Sequence, residues 1–164
     1  MKDNSSVDRI DRYILAALQQ DGSLSNVELG RQVNLSPPAI HARIKRLEQL
    51  GYIRAYRAVL DRELLDFDML CFIQVTLQNH QPDDVERFRQ SVVSMPEVLE
   101  CHHVTGNVDY LIKVVVRSRH ELQQFLMERL TPIRGIARMQ TSLVLTELKS
   151  TTTLPIIIED TEEE

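Results

Sequence analysis

Residues 34–51 read Asn-Leu-Ser-Pro-Pro-Ala-Ile-His-Ala-Arg-Ile-Lys-Arg-Leu-Glu-Gln-Leu-Gly and decide how the N-terminal part of the chain is interpreted. Ser36 suits the N-cap of a helix, Pro37 its first turn and Gly51 its C-terminal stop. Apolar residues recur at helical spacing, at Ile40, Ile44 and Leu47. The opposite side would carry small and basic residues: Pro38, His41, Ala42, Lys45, Arg46 and Gln49. A short helix of this kind fits a DNA major groove, although ordinary surface helices share the pattern.

Two more helices precede this segment. The first has an apolar face made of Val7, Ile10, Ile14 and Leu18. Ser25 and Glu28 form a capping-box pattern at the start of the second, and Gly30 is small enough for close approach of another helix. We expect the second helix to bury Val27, Leu29 and Val33. With Asn34 as a left-handed turn residue, the segments predict a helix-turn-helix whose last helix reads DNA.

Charge is divided unevenly along the 164 residues. The chain has a net charge of −5, but residues 1–60 hold 9 basic and 6 acidic residues, and the remainder holds 10 and 18. Five cations follow Ala42 within a short distance: Arg43, Lys45, Arg46, Arg54 and Arg57. A basic module joined to an acidic one is typical of a polyanion-binding domain fused to another domain. No apolar run reaches membrane-spanning length and no signal-peptide core is present, so we expect a cytoplasmic protein with no membrane partner.

The segment after Gly51 permits two interpretations. Residues 52–60 alternate enough for a strand or small hairpin, which would act as a wing and contact phosphates through Arg54 or Arg57. The alternative, which we favour, is a connector to the next domain. A phosphate contact by Arg54 is compatible with this alternative. Residues 61–69 are expected to form a hinge.

The C-terminal half has a different periodicity. We predict strands at 70–77, 98–105, 110–116 and 136–148, and helices at 82–93 and after Ser118. This order is that of a ferredoxin-like βαββαβ sandwich, so the predicted fold is α+β, with domains at 1–60 and 70–150. The uncovered sheet face would show Gln74, Thr76, Lys113, Gln140 and Ser142 among apolar neighbours. A second copy could cover that face, so we expect a homodimer. Residues 1–6 are expected to fray. Residues 151–164 are expected to form an acidic tail, whose final acid run at 159–164 is expected to be disordered.

Two short constellations in this half invite a ligand. Thr105, Gly106, Asn107, Asp109 and Tyr110 join two strands, and exposed N–H groups beside a carboxylate suit an α-amino acid. The same residue types also fill ordinary hairpin turns. Cys101, His102 and His103 cannot share one metal ion, because neighbouring strand residues point to opposite faces. We therefore expect no metal site and no catalytic residue, and we expect Cys71 and Cys101 to be buried thiols.

Several motifs resemble the Lrp/AsnC (feast/famine) family of prokaryotic transcription regulators over residues 7–155. They are Leu35-Ser36-Pro37, Arg43-Ile44, Arg46-Leu47-Glu48, Gly51-Tyr52-Ile53, Pro96-Glu97-Val98, Cys101-His102, Gly106-x-x-Asp109-Tyr110 and Glu147-Leu148-Lys149. The resemblance implies a winged or wing-like helix-turn-helix and a ferredoxin-like domain that pairs protomers and binds amino acids. It also implies further assembly, often to octamers, with the effector between dimers near Gly106, Asp109 and Tyr110. The family often has aspartate at the position of Asn107.

The expected function is therefore sequence-specific regulation of transcription through double-stranded DNA, in the cytoplasm at the nucleoid. Contacts would come from Ser36, Pro38, His41, Ala42, Arg43, Lys45, Arg46 and Arg54. Two alternatives remain open. One is an effector-blind architectural DNA-binding protein, and the other is a tetrapyrrole decarboxylase, because some relatives with this fold use His and Arg in that reaction.

Overall fold

The computed structural model describes residues 7–79 and 81–158. The expectations for residues 1–6 and for the acidic run at 159–164 concern residues outside this described part. The chain divides into two compact units. We call residues 7–59 and 150–158 the N-terminal unit, and residues 60–149 the sheet unit. Within the described residues, the helices fall short of the length and apolar character needed to cross a bilayer.

The N-terminal unit contains three helices in its described residues: α1 (Arg9–Gln20), α2 (Asn26–Val33) and α3 (Pro37–Gln49). Capping boxes begin the first two helices, Asp8 with Asp11 in α1 and Ser25 with Glu28 in α2. Each box satisfies amide groups that have no partner inside the helix. Asn34 ends α2 in the left-handed conformation, with φ of 55°, as its residue type predicts. These local signals set the helix boundaries.

The two ends of α3 differ in how their unpaired backbone N–H and C=O groups find hydrogen-bond partners. Ser36 occupies the N-cap position, but the expected side-chain hydrogen bond is absent. The next two residues are prolines and have no N–H, so among the first three helical residues only Ala39 has an N–H that a cap could accept. At the other end, the N–H groups of Gly51 and Tyr52 donate to the carbonyls of Glu48 and Leu47 at 3.0 and 2.9 Å. Gly51 has φ of 77°, so this is the glycine-terminated helix end that the sequence predicted.

Four fully buried side chains form the core of the N-terminal unit: Ile14, Leu29, Ile40 and Leu47. Val33 packs against them partly buried, but the prediction for Val27 was wrong, since it is 45% exposed. Gly30 lies where α2 meets the following turn, and a Cβ there would be 2.5 Å from the carbonyl oxygen of Leu35. Glycine is therefore required for this close approach.

The C-terminal segment of the described chain returns to the N-terminal unit. The Gln19 side-chain amide donates to the Leu154 carbonyl at 3.2 Å, and the Leu154 N–H donates to the Gln19 side-chain oxygen at 2.7 Å. The described part of the expected tail, residues 151–158, is thus hydrogen-bonded to α1 at Leu154.

The sheet unit contains β1 (Met69–Leu77), α4 (Pro82–Val93), β2 (Val98–His103), β3 (Tyr110–Val116), α5 (Arg119–Gln124) and β4 (Ile136–Leu143). The α5 helix continues as a π-helical segment, Phe125–Leu130, which was not predicted. The sheet order is β2-β3-β1-β4 with antiparallel pairs, so the predicted α+β, ferredoxin-like sandwich is confirmed. The core lies between the helices and one sheet face, and contains Ile73, Val75, Phe88, Val92, Ile112, Val114, Phe125 and Leu130.

Two strands are shorter than expected, and the segments between α3 and β1 show which of the two interpretations of residues 52–60 is correct. The β2 and β4 strands end at His103 and Leu143, earlier than the predicted 105 and 148. Between α3 and β1 the described chain contains no strand, so the wing alternative for residues 52–60 was wrong. The expected hinge forms a turn in which the Asp61 carboxylate accepts from the N–H groups of Glu63 and Leu64 at 2.9 and 3.2 Å.

Candidate nucleic-acid interface and effector turn

The outward side of α3 carries small and basic residues. Ile40 and Leu47 face the core of the N-terminal unit and have no exposed surface. The exposed side of α3 carries Pro38, His41, Ala42, Lys45, Arg46 and Gln49, with Ser36 exposed just before it. Burial of one stripe therefore leaves the opposite stripe of α3 accessible within the N-terminal unit. Its chemistry, small side chains between cations, suits close approach to a groove edge and to phosphates.

Two of the basic side chains of α3 bind carboxylates at the start of α1. Arg43 Nη1 lies 2.8 Å from Asp11 Oδ1 and 2.6 Å from Asp8 Oδ2. Arg46 donates through Nη2 to Asp11 Oδ2. We call Asp8, Asp11, Arg43 and Arg46 the α1–α3 ion-pair network. Sequence reasoning missed it, although the Asp8-x-x-Asp11 spacing is itself a capping signal.

The network shifts the pKa values of Asp8 and Arg43. Burial alone would raise the pKa of the Asp8 carboxyl, but the Asp11 N–H and the Arg43 guanidinium outweigh it and hold that pKa below 3.8. Hydrogen bonds to Asp8 and Asp11 raise the pKa of Arg43. Asp8 and Arg43 therefore stay ionised through the neutral range. The side chain of Asp11 has no exposed surface, whereas those of Arg43 and Arg46 are 27% and 46% exposed.

The connector after α3 adds further cations. Arg54 and Arg57 are exposed along an extended stretch, and Tyr56 between them donates a hydrogen bond to Glu48 Oε1 at 3.1 Å. Burial and this carboxylate raise the pKa of Tyr56. The contact fixes the middle of the connector to α3 and leaves its basic side chains on the exposed surface of the N-terminal unit.

The turn between β2 and β3 holds the residues expected to bind an amino acid. Thr105, Gly106 and Asn107 are exposed, and Gly106 has φ of 123°, which favours glycine strongly. Asp109 Oδ2 accepts from the N–H of Leu77 at 2.8 Å, and the Asp109 N–H donates to the Val75 carbonyl at 2.9 Å. The carboxylate therefore fastens the turn to the end of β1.

Tyr110, which was expected to take part in the amino-acid site, has a ring that is buried within the sheet unit. It is 3% exposed, and its ring centroid lies 4.5 Å from that of Phe88 and 4.9 Å from that of His103. Tyr110 begins a strand whose alternate residues face the helices, so its position in the register places it in the core. Within the sheet unit, its buried ring anchors the end of the turn to the core.

The histidines next to this turn are separated by the strand geometry. His102 pairs across the sheet with Leu111 and lies 3.0 Å from Glu100 Oε2, whereas His103 pairs with Tyr110 and stacks on its ring. Cys101 lies opposite Ile112 and is partly buried, while Cys71 is buried. In residues 7–79 and 81–158, no group of His, Cys, Asp or Glu side chains is arranged to hold a metal ion.

Sequence reasoning also missed an open groove of about 560 Å³ on the helical side of the sheet unit. It runs between α4 and the end of the π-helical segment and is lined partly by Arg87, Ser91, Met95, Arg129 and Arg134. None of its lining residues belongs to the turn at 105–110. The arginines at its rim are partly neutralised, since Arg87 pairs with Asp84 at 3.0 Å and Arg129 with Glu97 at 3.5 Å.

Each of the two units matches a known domain family. Residues 7–48 match the AsnC-type helix-turn-helix domain, and residues 70–154 match the Lrp/AsnC ligand binding domain. The leucine-responsive regulatory protein of Escherichia coli is 41% identical over 150 residues, which cover 92% of each chain. A transcriptional regulator of Neisseria meningitidis, solved as a complex with L-methionine, is 38% identical with a TM-score of 0.87 and covers 92% of this chain and 97% of that one.

The AsnC protein of E. coli is also similar in structure. It is 32% identical with a TM-score of 0.82, over 89% of this chain and 97% of that one. Helix-turn-helix and ligand-binding matches thus occur in the same order and together cover most of the chain. This protein therefore belongs to the Lrp/AsnC family of transcriptional regulators.

Proposed function

We propose that this chain regulates transcription by sequence-specific binding of double-stranded DNA, with α3 as the reading helix. The observation that carries the proposal is the division of α3 into a fully buried apolar stripe and an exposed small-and-basic stripe. His41, Ala42 and Lys45 would meet base edges or phosphates, and Ser36 and Pro38 would approach the backbone at the start of the helix. Arg54 would contact phosphate from the connector. Each direct base contact is worth about 1–3 kcal/mol of discrimination.

The protein acts in this proposal as a homodimer that assembles further, to a species such as an octamer. Support comes from the sheet face turned away from the helices. Phe72 lies between Lys113 and Ser142, and Gln74 lies between Leu111 and Gln140. A mixed face of this kind suits a second copy better than bulk water. A twofold dimer would present its reading helices to two half-sites of a pseudo-palindrome.

We also propose that an α-amino acid binds at the turn formed by Thr105, Gly106, Asn107, Asp109 and Tyr110. The L-methionine complex of the Neisseria meningitidis relative supports an amino acid as the ligand class. The exposed backbone around Gly106 offers N–H groups for a carboxylate. Asp109 and Tyr110 would shape the turn through the contacts described above. The ligand would alter transcription only through unequal affinity for two assembly states.

A cytoplasmic, nucleoid-associated location follows from the proposed DNA binding.

Salt-dependent DNA binding tests the main proposal. A DNA site selected from a random pool would be titrated with wild-type protein and with Lys45→Gln at several salt concentrations. We expect Lys45→Gln to weaken binding and to reduce the slope of log K against log salt by about 0.9 per protomer. Arg119→Gln, an exposed cation in the sheet unit, is the matched control and should leave the slope unchanged. Equal slopes for all three proteins would contradict the assignment of α3.

A thermal-shift series with the twenty amino acids separates effector-dependent regulation from architectural DNA binding. A stabilising amino acid whose effect disappears in Gly106→Val would support the proposed turn, because a side chain at φ of 123° distorts it. No shift with any amino acid, combined with equal affinity for unrelated DNA sequences, would favour the architectural function.

A further inference from the structure

The α1–α3 ion-pair network holds two of the basic side chains of the proposed reading helix in place. We propose that Asp11 is a positioning residue for DNA recognition, which withholds Arg43 from phosphates and fixes the direction of Arg46. This inference rests on the proposed DNA-binding function and assigns a role to a residue on another helix. It concerns how α3 discriminates between DNA sequences rather than whether it binds.

Both carboxylate oxygens of Asp11 are engaged. Oδ1 accepts from Arg43 Nη1 at 2.8 Å, while Oδ2 accepts from Arg46 and from the Asp8 N–H at 3.2 Å. Asp8 Oδ2 holds the same Nη1 of Arg43 at 2.6 Å. The Asp11 side chain has no exposed surface, and removing one partner of a buried ion pair is strongly unfavourable. The two guanidinium groups are therefore held to α1 in the free protein.

Charge is balanced within the network, since two carboxylates face two guanidinium groups. Lys45, on the same helix, forms no ion pair with residues 7–79 or 81–158. Fewer basic side chains of α3 are therefore free to move toward phosphates than its sequence suggests. Arg43, at 27% exposure, has little surface to offer DNA, whereas Arg46, at 46%, keeps part of its donor fork accessible.

This arrangement affects specific and non-specific binding differently. A free cation near phosphates increases affinity for any duplex and makes it more sensitive to salt, by about 0.9 in slope for each phosphate neutralised. A guanidinium that is already fixed loses less conformational freedom when it meets one base edge or phosphate. Neutralisation by Asp11 therefore lowers general affinity and preserves directed contact through Arg46. Specificity, the ratio of affinities for selected and random DNA, would depend on Asp11.

Asp11→Asn tests this role directly, because it removes the charge and keeps one side-chain oxygen as an acceptor. We expect the variant to bind random duplex several-fold more tightly, with a slope steeper by about 0.9 per protomer, and to show a lower specificity ratio. Asp21→Asn is the matched control. It changes the net charge equally in the same unit, but the Asp21 carboxylate contacts Ser23 and no arginine. We expect wild-type slope and specificity for this control. Circular dichroism and thermal unfolding would show that each variant is folded.

Arg43→Gln provides an independent test if Asp11→Asn fails to fold. It removes a guanidinium but keeps an amide that can donate to Asp11. We expect an unchanged salt slope, because Arg43 is not a phosphate contact in the wild-type protein. A slope reduced by about 0.9 per protomer would overturn the proposal, as would a folded Asp11→Asn with wild-type slope and specificity. If the wild-type protein bound no DNA at any salt concentration, the proposed function itself would fail, and this outcome is distinct from either variant result.

Discussion

Replacing Gly30 by alanine tests how closely α2 packs against the turn that leads to α3. The new Cβ would lie 2.5 Å from the carbonyl oxygen of Leu35 and 3.6 Å from a side-chain carbon of Ile40. The carbonyl is backbone, and the N–H of the same residue donates to the Gly30 carbonyl at 2.9 Å, so it cannot swing aside. Overpacking costs about 1–3 kcal/mol, and alanine recovers about 1 kcal/mol over glycine inside a helix. Because the obstructing atom is backbone at 2.5 Å, the cost falls in the upper part of this range, about 2–3 kcal/mol, and we expect a net loss of about 1–2 kcal/mol.

Urea denaturation measures this loss, with hydrogen exchange of α2 peptides reporting on the N-terminal unit. At about 1 kcal/mol per molar of urea for a unit of this size, the midpoint should fall by roughly 1–2 M. Gly22→Ala is the control in the same unit. Its nearest neighbours would be 3.8 Å away, and we expect it to stabilise by about 0.4–1 kcal/mol. A Gly30→Ala protein as stable as the wild type would refute the claim that this approach requires glycine.

Three other perturbations have defined outcomes. Leu47→Ala leaves a cavity at a fully buried site and should lower the unfolding free energy by about 2–5 kcal/mol, which urea denaturation would measure. DNA binding should weaken as well, because Leu47 packs α3 onto the core. The pKa of Asp8 is lowered in the folded protein, so the unfolded chain binds the proton more readily and the unfolding free energy falls as the pH drops toward the folded-state pKa. Asp8→Asn should therefore flatten the fall in Tm below about pH 5. Asp109→Ala leaves the buried Leu77 N–H without its carboxylate partner and should cost about 1–3 kcal/mol by thermal unfolding, whereas Asp109→Asn, which keeps an acceptor, should cost less.

Helix boundaries in the N-terminal unit could be predicted because their signals are local. Ser25 and Glu28 lie three residues apart, and Asn34 and Gly51 take positive φ as their residue types predict. The α1–α3 ion-pair network could not be predicted in this way. Its partners, Asp11 and Arg43, are separated by 32 residues, and a basic residue on a helical wheel carries no information about a carboxylate on another helix.

The end of β4 and the position of the Tyr110 ring depend on contacts with other elements, which the sequence pattern does not identify. Leu143 pairs with Cys71 near the beginning of β1, so β4 soon has no partner strand, although its apolar residues continue. The turn motif at 105–110 did not indicate that Tyr110 is buried, because its ring lies in the core through packing against Phe88 and His103 on other elements. The π-helical segment at 125–130 was missed because its apolar spacing also fits an ordinary helix.

The amide pairing of Gln19 with Leu154 has a consequence for dissecting the protein. The polypeptide crosses from one unit to the other twice, near Val59 and again near Lys149. A fragment ended at residue 60 therefore omits a peptide that belongs with α1. After a single proteolytic cut near Val59, that peptide stays covalently joined to the sheet unit and hydrogen-bonded to α1. Release of the three helices from the sheet unit therefore requires, besides that cut, either a second cut near Lys149 or detachment of the tail peptide from Gln19.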